Sequence, residues 1–196
     1  IPPVVKLWIK QVRGLENIPK KGAFILAANH ASYFDHLAIS SSIIPKIDRK
    51  IHFLAKKEHF ETLEQKWWHK YFEAIPIDRD AGDKALDTAI EYLKKGKIIA
   101  IYPEGTRTLN GRIQKGKTGV ARLVLAAEVP IVPIGLINTF KILPKGSRIP
   151  KPSRATITIG KPISFEKYYG KKITKPLLRK ITTIVMKRKA RLAHQQ

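Results

Sequence analysis

A run of six apolar residues leads directly into a polar turn near the start of the chain, and this junction constrains the fold more than any other stretch. Residues 23–28 read AFILAA, which predicts a buried strand. Residues 34–44 carry apolar side chains at helical spacing and predict a helix. Between the two lie His30 and Asp35, on a strand-to-helix turn. Open α/β sheets place their sites at such turns, because a strand end holds side chains rigidly beside a crevice.

His30 and Asp35 can act together as a base. Four residues separate them, so the turn can bring the carboxylate to the imidazole. A carboxylate that holds one ring nitrogen fixes the tautomer, and the other nitrogen can then take a proton from a hydroxyl. The same residues also fit a capping box, in which Ser32 caps the helix, Asp35 accepts from a backbone N–H and His30 is only a polar turn residue. Both interpretations are open at this point.

A second polar turn follows a second apolar strand. Residues 98–101 read IIAI, and Tyr102-Pro103-Glu104-Gly105-Thr106-Arg107 comes next. Pro103 and Gly105 also suit an ordinary turn. Arg107 is planar, permanently charged and suited to a phosphate, whereas Glu104 can orient either Arg107 or a substrate hydroxyl. Two such turns, each at the end of a buried strand, predict one shared site.

Strand and helix patterns alternate along the chain. This alternation predicts one α/β domain over residues 1–196, with a mostly parallel sheet of six or seven strands flanked by helices. The expected strands cover residues 4–15, 23–28, 51–55, 74–77, 98–101, 131–137 and 155–159. The expected helices cover residues 34–44, 60–72, 83–95, 118–128 and 175–193. Pro45 is expected to stop the first helix, and Pro133 to place its strand at a sheet edge, a bulge or a strand end.

Four ordered blocks resemble the glycerolipid acyltransferase family, and most closely its lysophosphatidate (1-acylglycerol-3-phosphate) acyltransferases. The blocks are Asn29-His30 with Asp35, then Ile77-Asp78-Arg79, then residues 102–107, then Val129-Pro130-Ile131-Val132-Pro133. Each block is a modest signal alone, but their order and spacing over residues 23–137 make the resemblance strong.

The resemblance implies a reaction and a set of site residues. It implies transfer of a fatty acyl group from coenzyme A or an acyl-carrier protein to the free hydroxyl of 1-acylglycerol-3-phosphate, giving phosphatidate, with His30 as general base beside Asp35. The substrate-binding residues that it implies are Arg107, Glu104, Gly105, Thr106, Arg79 and Lys56. Arg79 can also pair with its Asp neighbours, and Lys56 can be an ordinary solvated lysine. The thioester is a co-substrate, and no cofactor or metal is expected.

The chain is strongly basic, with 38 Lys and Arg against 15 Asp and Glu and a formal net charge of +23. Residues 141–196 hold sixteen of the basic residues and one acidic residue, Glu166. This excess indicates an anionic partner. Residues 175–193 predict an amphipathic helix whose basic face, which includes Lys189, is either solvated while the apolar side packs on the sheet, or adheres to anionic lipid. We favour packing for this helix, and we expect the protein to associate with a membrane on its cytoplasmic face.

Cysteine is absent, which excludes disulfides, a cysteine nucleophile and thiolate zinc sites. The longest nearly apolar run, residues 129–137, is far shorter than the roughly 20 residues that span a bilayer. The resemblance implies that proteins of this kind often carry an apolar membrane-associated segment ahead of this region.

Two other classes of protein compete. Residues 111–118, GRIQKGKT, match the phosphate-binding loop of nucleotide triphosphatases, but that loop works only directly after a buried strand. A nucleic-acid-binding module would explain the basic charge of the chain, but it would not explain the polar residues at the two strand ends. A serine hydrolase is disfavoured because the chain has no Gly-x-Ser-x-Gly. We therefore expect an acyl donor, a lysophospholipid and an anionic membrane surface as partners, and no nucleic acid.

Overall fold

The structure is a computed structural model that describes residues 3–57, 74–78, 81, 84 and 86–195. The helix expected over residues 60–72, the candidate Arg79 and the side chain of Lys56 lie outside this described part. The described strands are β1 (Ile9–Arg13), β2 (Phe24–Ala28), β3 (Ile51–Lys56), β4 (Ile75–Ile77), β5 (Ile98–Ile101), β6 (Ile131–Ile137) and β7 (Ala155–Ile159). The described α-helices are α1 (Asp35–Ile47), α2 (Asp87–Lys94), α3 (Gly119–Ala127), α4 (Thr139–Ile142) and α5 (Lys175–Leu192). None of the helices in these ranges is both long and apolar enough to cross a bilayer.

Seven strands of the described chain form one sheet in the order β1-β7-β6-β2-β5-β3-β4. Every neighbouring pair is parallel except β6 and β7, so β1 and β7 run against the other strands. The predicted α/β fold, with a mostly parallel sheet of six or seven strands flanked by helices, is confirmed. Because β2 to β6 point the same way, their carboxyl ends meet at one edge of the sheet.

Strand β2 lies inside the sheet and is buried on both faces. Its five residues are all buried. Phe24 and Leu26 belong to the core on one face, together with Ile39 of α1, whereas Ile25 and Ala27 belong to the core on the other face, which α2, α3 and α5 cover. A parallel strand covered on both sides reads as a continuous apolar run. This double burial explains why residues 23–28 carry no polar side chain.

The structure contradicts part of what the sequence predicts for Pro45 and Pro133. The stop predicted at Pro45 is wrong, because α1 continues through it to Ile47. Pro45 lies in the last turn, so its missing N–H costs one helical bond, and the N–H of Asp48 still reaches the carbonyl of Ile44 at 2.9 Å. An edge position for Pro133 is also wrong, since β6 is an interior strand. The proline falls just before the β6–β7 ladder, which begins at Ile134, so its missing N–H interrupts no pair there.

Two other boundaries differ from the prediction. The strand predicted over residues 4–15 is a 3-10 helix over Pro3–Trp8 followed by β1. Val5 is buried there while Val4 and Leu7 are exposed, so the apolar residues do not alternate as a strand requires. The helix predicted over residues 83–95 is observed as the shorter α2, and Asp83 lies outside the described residues.

Helix α5 packs on the sheet, as we favoured from its amphipathic pattern. Its buried residues are Leu178, Ile181, Thr182, Val185 and Lys189. The predicted basic face is wrong at Lys189, which is fully buried, and the apolar Ile184 of the same helix is 37% exposed. Gly135 of β6 permits the close approach of the helix, since a Cβ built there would overlap backbone atoms of Leu192 and Ala193.

We predict that Gly135→Ala destabilises the protein by about 2 kcal/mol or more, because overpacking against rigid backbone forces β6 and α5 apart. Gly119→Ala is the matched control, since its new Cβ would meet only the Leu86 side chain, at an ordinary 3.5 Å. Chemical denaturation of both variants measures the difference. Equal stability of Gly135→Ala and the parent chain would contradict the packing described for α5.

Candidate active site

Two polar loops meet at the carboxyl ends of β2 and β5. His30 follows β2, and residues 102–108 follow β5. The strands are neighbours, with Ala27 paired to Ile101. The backbone N–H of Thr108 donates to the carbonyl of His30 over 3.0 Å, which ties the second loop to the first. The two turns singled out in the sequence are therefore joined directly.

His30 and Asp35 form the hydrogen bond that their spacing predicts. The Nδ1 atom of His30 lies 2.8 Å from Oδ2 of Asp35. The Asp35 side chain is fully buried, whereas the His30 side chain is 13% exposed, so only the imidazole is accessible to a substrate. When Nδ1–H is donated to the carboxylate, the other ring nitrogen, Nε2, is the proton acceptor. The pair has the geometry that a general base requires.

Asp35 also holds the backbone of the turn. Its Oδ2 accepts N–H bonds from Ala31 and Ser32, each of 2.8 Å. The Ser32 hydroxyl accepts from the N–H of Phe34 at 3.0 Å and donates to the carbonyl of Leu143 at 2.8 Å. The bond from Ser32 N–H to Asp35 resembles one half of a capping box, and it ends on the same carboxylate oxygen that the imidazole uses. Ser32 is not the N-cap that the sequence suggested, because α1 begins at Asp35, with Phe34 at the N-cap and no side-chain cap bond. Asp35 does accept from a backbone N–H, as that interpretation required, but it also pairs with His30, which is therefore more than a polar turn residue.

Asn29 fixes the end of β2 to its neighbour. Its side-chain amide donates to the carbonyl of Leu136 at 2.9 Å, and its side-chain oxygen accepts from the N–H of the same residue at 2.7 Å. The buried amide thus replaces one backbone pair between β2 and β6, one residue before His30. This contact restrains the imidazole through the backbone.

Tyr102 supports the imidazole of His30 from one face. The two rings are stacked, with centroids 3.9 Å apart and planes inclined by 11°. The Tyr102 phenol is buried, and burial, followed by the charges of Asp35 and Glu104, raises its pKa well above the usual value. The ring is therefore a neutral platform. Sequence reasoning assigned Tyr102 no role, although an aromatic residue directly before the Pro-Glu-Gly turn was the signal for one.

Glu104 forms a buried ion pair with the C-terminal helix. Its Oε1 lies 2.6 Å from Nζ of Lys189, and the two side chains are 1% and 0% exposed. Burial raises the pKa of Glu104 and lowers that of Lys189, while the attraction between the two groups opposes both shifts. The sequence interpretation missed this partner and placed Lys189 on the solvated face of α5. Helical period was the missed signal, because Lys189 lies in line with the buried Val185.

Arg107 lies against the loop that carries His30. Its guanidinium carbon is 3.4 Å from the centroid of the exposed Tyr33 ring, a cation–π contact. Gly105 turns the chain with a φ of +74°, and its N–H donates to the carbonyl of Tyr102 at 2.8 Å. Thr106 is exposed at the tip of this turn. The structure thus brings Gly105, Thr106 and Arg107 to the same sheet edge as His30.

Two further candidates are only partly described. The backbone of Lys56 forms the last residue of β3, which lies beside β5, so it is at the same edge of the sheet as the two loops. Nothing further on its side chain, or on Arg79, follows from the described residues. The assignment of both residues to substrate binding stays a prediction.

Residues 111–118 do not form a phosphate-binding loop. Strand β5 ends at Ile101, well before Gly111, and the intervening chain is irregular. Gln195 crosses this segment, accepting from the N–H of Ile113 at 2.7 Å and donating to the carbonyl of Gly111 at 3.0 Å. The segment is thus fastened to the residues that follow α5. A nucleotide triphosphatase is not favoured by this arrangement.

Comparison with known proteins agrees with the geometry. A family model described as Acyltransferase matches residues 10–137, and the chain therefore belongs to the acyltransferase family. It is 30% identical over 158 residues to the 1-acyl-sn-glycerol-3-phosphate acyltransferase of Bacillus subtilis, covering 78% of this chain and 73% of that protein. It is 29% identical over 174 residues to the chloroplastic 1-acyl-sn-glycerol-3-phosphate acyltransferase LPAT1 of Arabidopsis thaliana, covering 82% of this chain and 48% of that protein.

A solved structure shares the fold. The crystal structure of the 1-acyl-sn-glycerophosphate (LPA) acyltransferase PlsC from Thermotoga maritima superimposes with a TM-score of 0.74 at 28% sequence identity. The match covers 97% of this chain and 74% of that one. The match therefore includes α5, which lies beyond the region that the family model matches.

Proposed function

We propose that this acyltransferase moves a fatty acyl group from a coenzyme A or acyl-carrier-protein thioester to the free hydroxyl of 1-acylglycerol-3-phosphate, giving phosphatidate. The observation that carries the proposal is the His30–Asp35 pair beside a loop that presents Arg107. The named activities of the relatives in Bacillus subtilis and Arabidopsis thaliana support the choice of acceptor.

The proposed chemistry needs no covalent enzyme intermediate. With Nδ1–H held by Asp35, Nε2 of His30 takes the proton of the acceptor hydroxyl as its oxygen attacks the thioester carbonyl. The tetrahedral intermediate collapses by breaking the carbon–sulfur bond, and the imidazolium returns the proton to the leaving thiolate. The Ser32 hydroxyl, in the same turn as His30, already donates to a backbone carbonyl and is not placed as a nucleophile. The acceptor hydroxyl is therefore the nucleophile.

Arg107 is proposed to hold the phosphate of the acceptor, with Gly105 and Thr106 in the same loop and Arg79 and Lys56 as further contributors. Glu104 is proposed to support this loop from behind, since its buried side chain is paired with Lys189. A guanidinium stacked on the Tyr33 ring keeps its in-plane N–H donors for two phosphate oxygens. Fixing the phosphate also positions the free hydroxyl, which is on the adjacent carbon of the glycerol backbone. Positioning of this kind can lower a barrier by several kcal/mol.

The proposal includes an anionic membrane surface, on the cytoplasmic side, as the place where the acceptor is met. Leu109 and Ile149 are 77% and 79% exposed, the highest values among the large apolar side chains described. Leu109 lies in the loop after Arg107. Ile149 lies in the loop that returns to α4 through the bond from Lys151 N–H to the carbonyl of Ile142, 2.8 Å long. Apolar tips among basic residues at the site edge suit a layer of anionic lipid headgroups.

We predict that His30→Ala lowers turnover by roughly 100-fold or more, because the general base is removed. Asp35→Asn should also lower turnover, since an amide does not fix the required tautomer of the imidazole. Steady-state transfer from a thioester, monitored by thiol release, measures both variants. His194→Asn is the control, because His194 is exposed and Asn tolerates its backbone φ of +54°. Turnover by His30→Ala within a few-fold of the parent protein would rule out this mechanism.

A second prediction concerns the acceptor phosphate. Arg107→Lys keeps the charge but loses the planar pair of donors, so activity toward 1-acylglycerol-3-phosphate should fall by about tenfold or more. Activity toward the same acceptor without its phosphate should change little. Arg112→Lys, an exposed position in the same loop, is the control. If both acceptors lose activity equally in Arg107→Lys, Arg107 has a structural role or serves the donor, and the phosphate assignment is wrong.

A third prediction concerns the membrane. The double variant Leu109→Asp/Ile149→Asp should sediment less with phosphatidate-containing vesicles than the parent protein, because charge repels and the apolar tips are lost. Ile173→Asp is the control, since Ile173 is exposed just ahead of α5, whose opposite end carries Lys189 and contacts the site loop. Equal binding by the double variant and the parent protein would contradict docking through this edge.

A further inference from the structure

The ion pair between Glu104 and Lys189 joins two parts of the chain that are far apart in sequence. The residues are separated by 85 positions, and both side chains are removed from solvent. Lysine is almost never fully buried without a partner. A buried ion pair contributes little stability compared with apolar residues of similar volume. Stability alone therefore does not account for a charged pair at this point of α5.

The pair is attached to the loop that carries Arg107. Backbone hydrogen bonds hold both ends of this loop. The N–H of Gly105 donates to the carbonyl of Tyr102 at one end, and the N–H of Thr108 donates to the carbonyl of His30 at the other. Glu104 lies between these ties, and its side chain points away from solvent into α5. Fixing Glu104 therefore fixes the turn from which Arg107 projects three residues later.

The pair also decides the charge of the loop. An unpaired Glu104 carboxylate would oppose an anionic group bound at Arg107 and would attract the cationic form of His30, and both effects are strong where water is excluded. The ammonium group of Lys189 cancels that charge at 2.6 Å. Arg107 then faces the acceptor phosphate without the charge of Glu104 opposing it, and Asp35 is the carboxylate that pairs with His30.

We propose that Lys189 is a positioning residue of the acceptor site, which acts through Glu104 to hold the loop of Arg107 and to cancel its carboxylate. This inference rests on the proposed function for its kinetic consequence, since it assumes that Arg107 binds the acceptor phosphate. Lys189 lies outside residues 10–137, the region that the family model matches. The C-terminal helix is then part of the site and not only a cover for the sheet.

The kinetic test compares Lys189→Met with Lys187→Met, a neighbouring exposed lysine of the same helix. For Lys189→Met we expect the KM for 1-acylglycerol-3-phosphate to rise by about tenfold, with a smaller change in the KM for the thioester. The change should be small for an acceptor that lacks the phosphate. The double variant Lys189→Met/Glu104→Gln lacks the ion pair but leaves no unpaired carboxylate in the loop. Its KM for 1-acylglycerol-3-phosphate should therefore lie between those of Lys189→Met and the parent protein.

The pH dependence of stability separates an ion pair from ordinary packing. In Glu104→Gln, the buried Lys189 loses the group that supports its charge, so its pKa falls further and stability rises as the pH rises toward the usual lysine value. In Lys189→Met, the buried Glu104 is left alone, so its pKa rises further and stability falls as the pH rises above the usual glutamate value. His30 and Tyr102 also face Glu104, but both are present in each variant. The two melting temperatures should therefore change with pH in opposite directions.

Hydrogen exchange of the amides of residues 104–108 measures the position of the loop without any substrate. Faster exchange in Lys189→Met, or in the double variant if the single one does not fold, supports the tether even if the parent protein fails to use 1-acylglycerol-3-phosphate. That failure would overturn the proposed function and leave this part of the inference standing. Parent-like exchange together with a parent-like acceptor KM would overturn the inference. An equal loss of kcat with every combination of donor and acceptor would also overturn the inference, because a merely structural role predicts that result.

Discussion

The site depends on the burial of β2 between β5 and β6. Both neighbours run parallel to β2, so all three strands end at the same edge of the sheet, where the turns after β2 and β5 carry the polar residues of the site. The Asn29 side chain hydrogen-bonds to the backbone of Leu136 in β6, and the carbonyl of His30 accepts from the N–H of Thr108 in the loop that follows β5. The imidazole is therefore held through its backbone from two sides before any side chain of the site contacts it.

One carboxylate oxygen of Asp35 both holds the backbone of the turn and orients the imidazole of His30. Its Oδ2 accepts from two backbone N–H groups and from the imidazole, all at 2.8 Å. The backbone donors fix the carboxylate in place, so the imidazole meets a rigid acceptor and its ring orientation is set. Tyr102 then restricts the ring from one face. An acid that paired with His30 without these two backbone bonds would orient the ring less firmly.

The sequence predicted the parts of this structure that are local. Strand β2, helix α1 and the His30–Asp35 contact lie within a stretch in which period and spacing determine the outcome. The sequence did not predict the path of α1 through Pro45, because a helix can lose one backbone bond in its last turn and still continue. It did not predict the interior position of Pro133, because that depends on where the β6–β7 ladder begins in the assembled sheet. The stacked Tyr102 required the neighbouring strand to be known.

The pairing of Lys189 was the least accessible from sequence, although part of the signal was present. Leu178, Ile181, Val185 and Lys189 follow one another at three- and four-residue steps, so the helical period places the lysine on the buried stripe of α5. A lysine at such a position requires an acidic partner inside the protein. The chain has only 15 acidic residues, and Glu104 lies between Pro103 and Gly105, shortly after a buried strand. A lysine on the apolar stripe of a helix and an acid at the end of a buried strand thus together predict a buried ion pair. The pair was missed because Lys189 was counted among the surface charges of a basic helix.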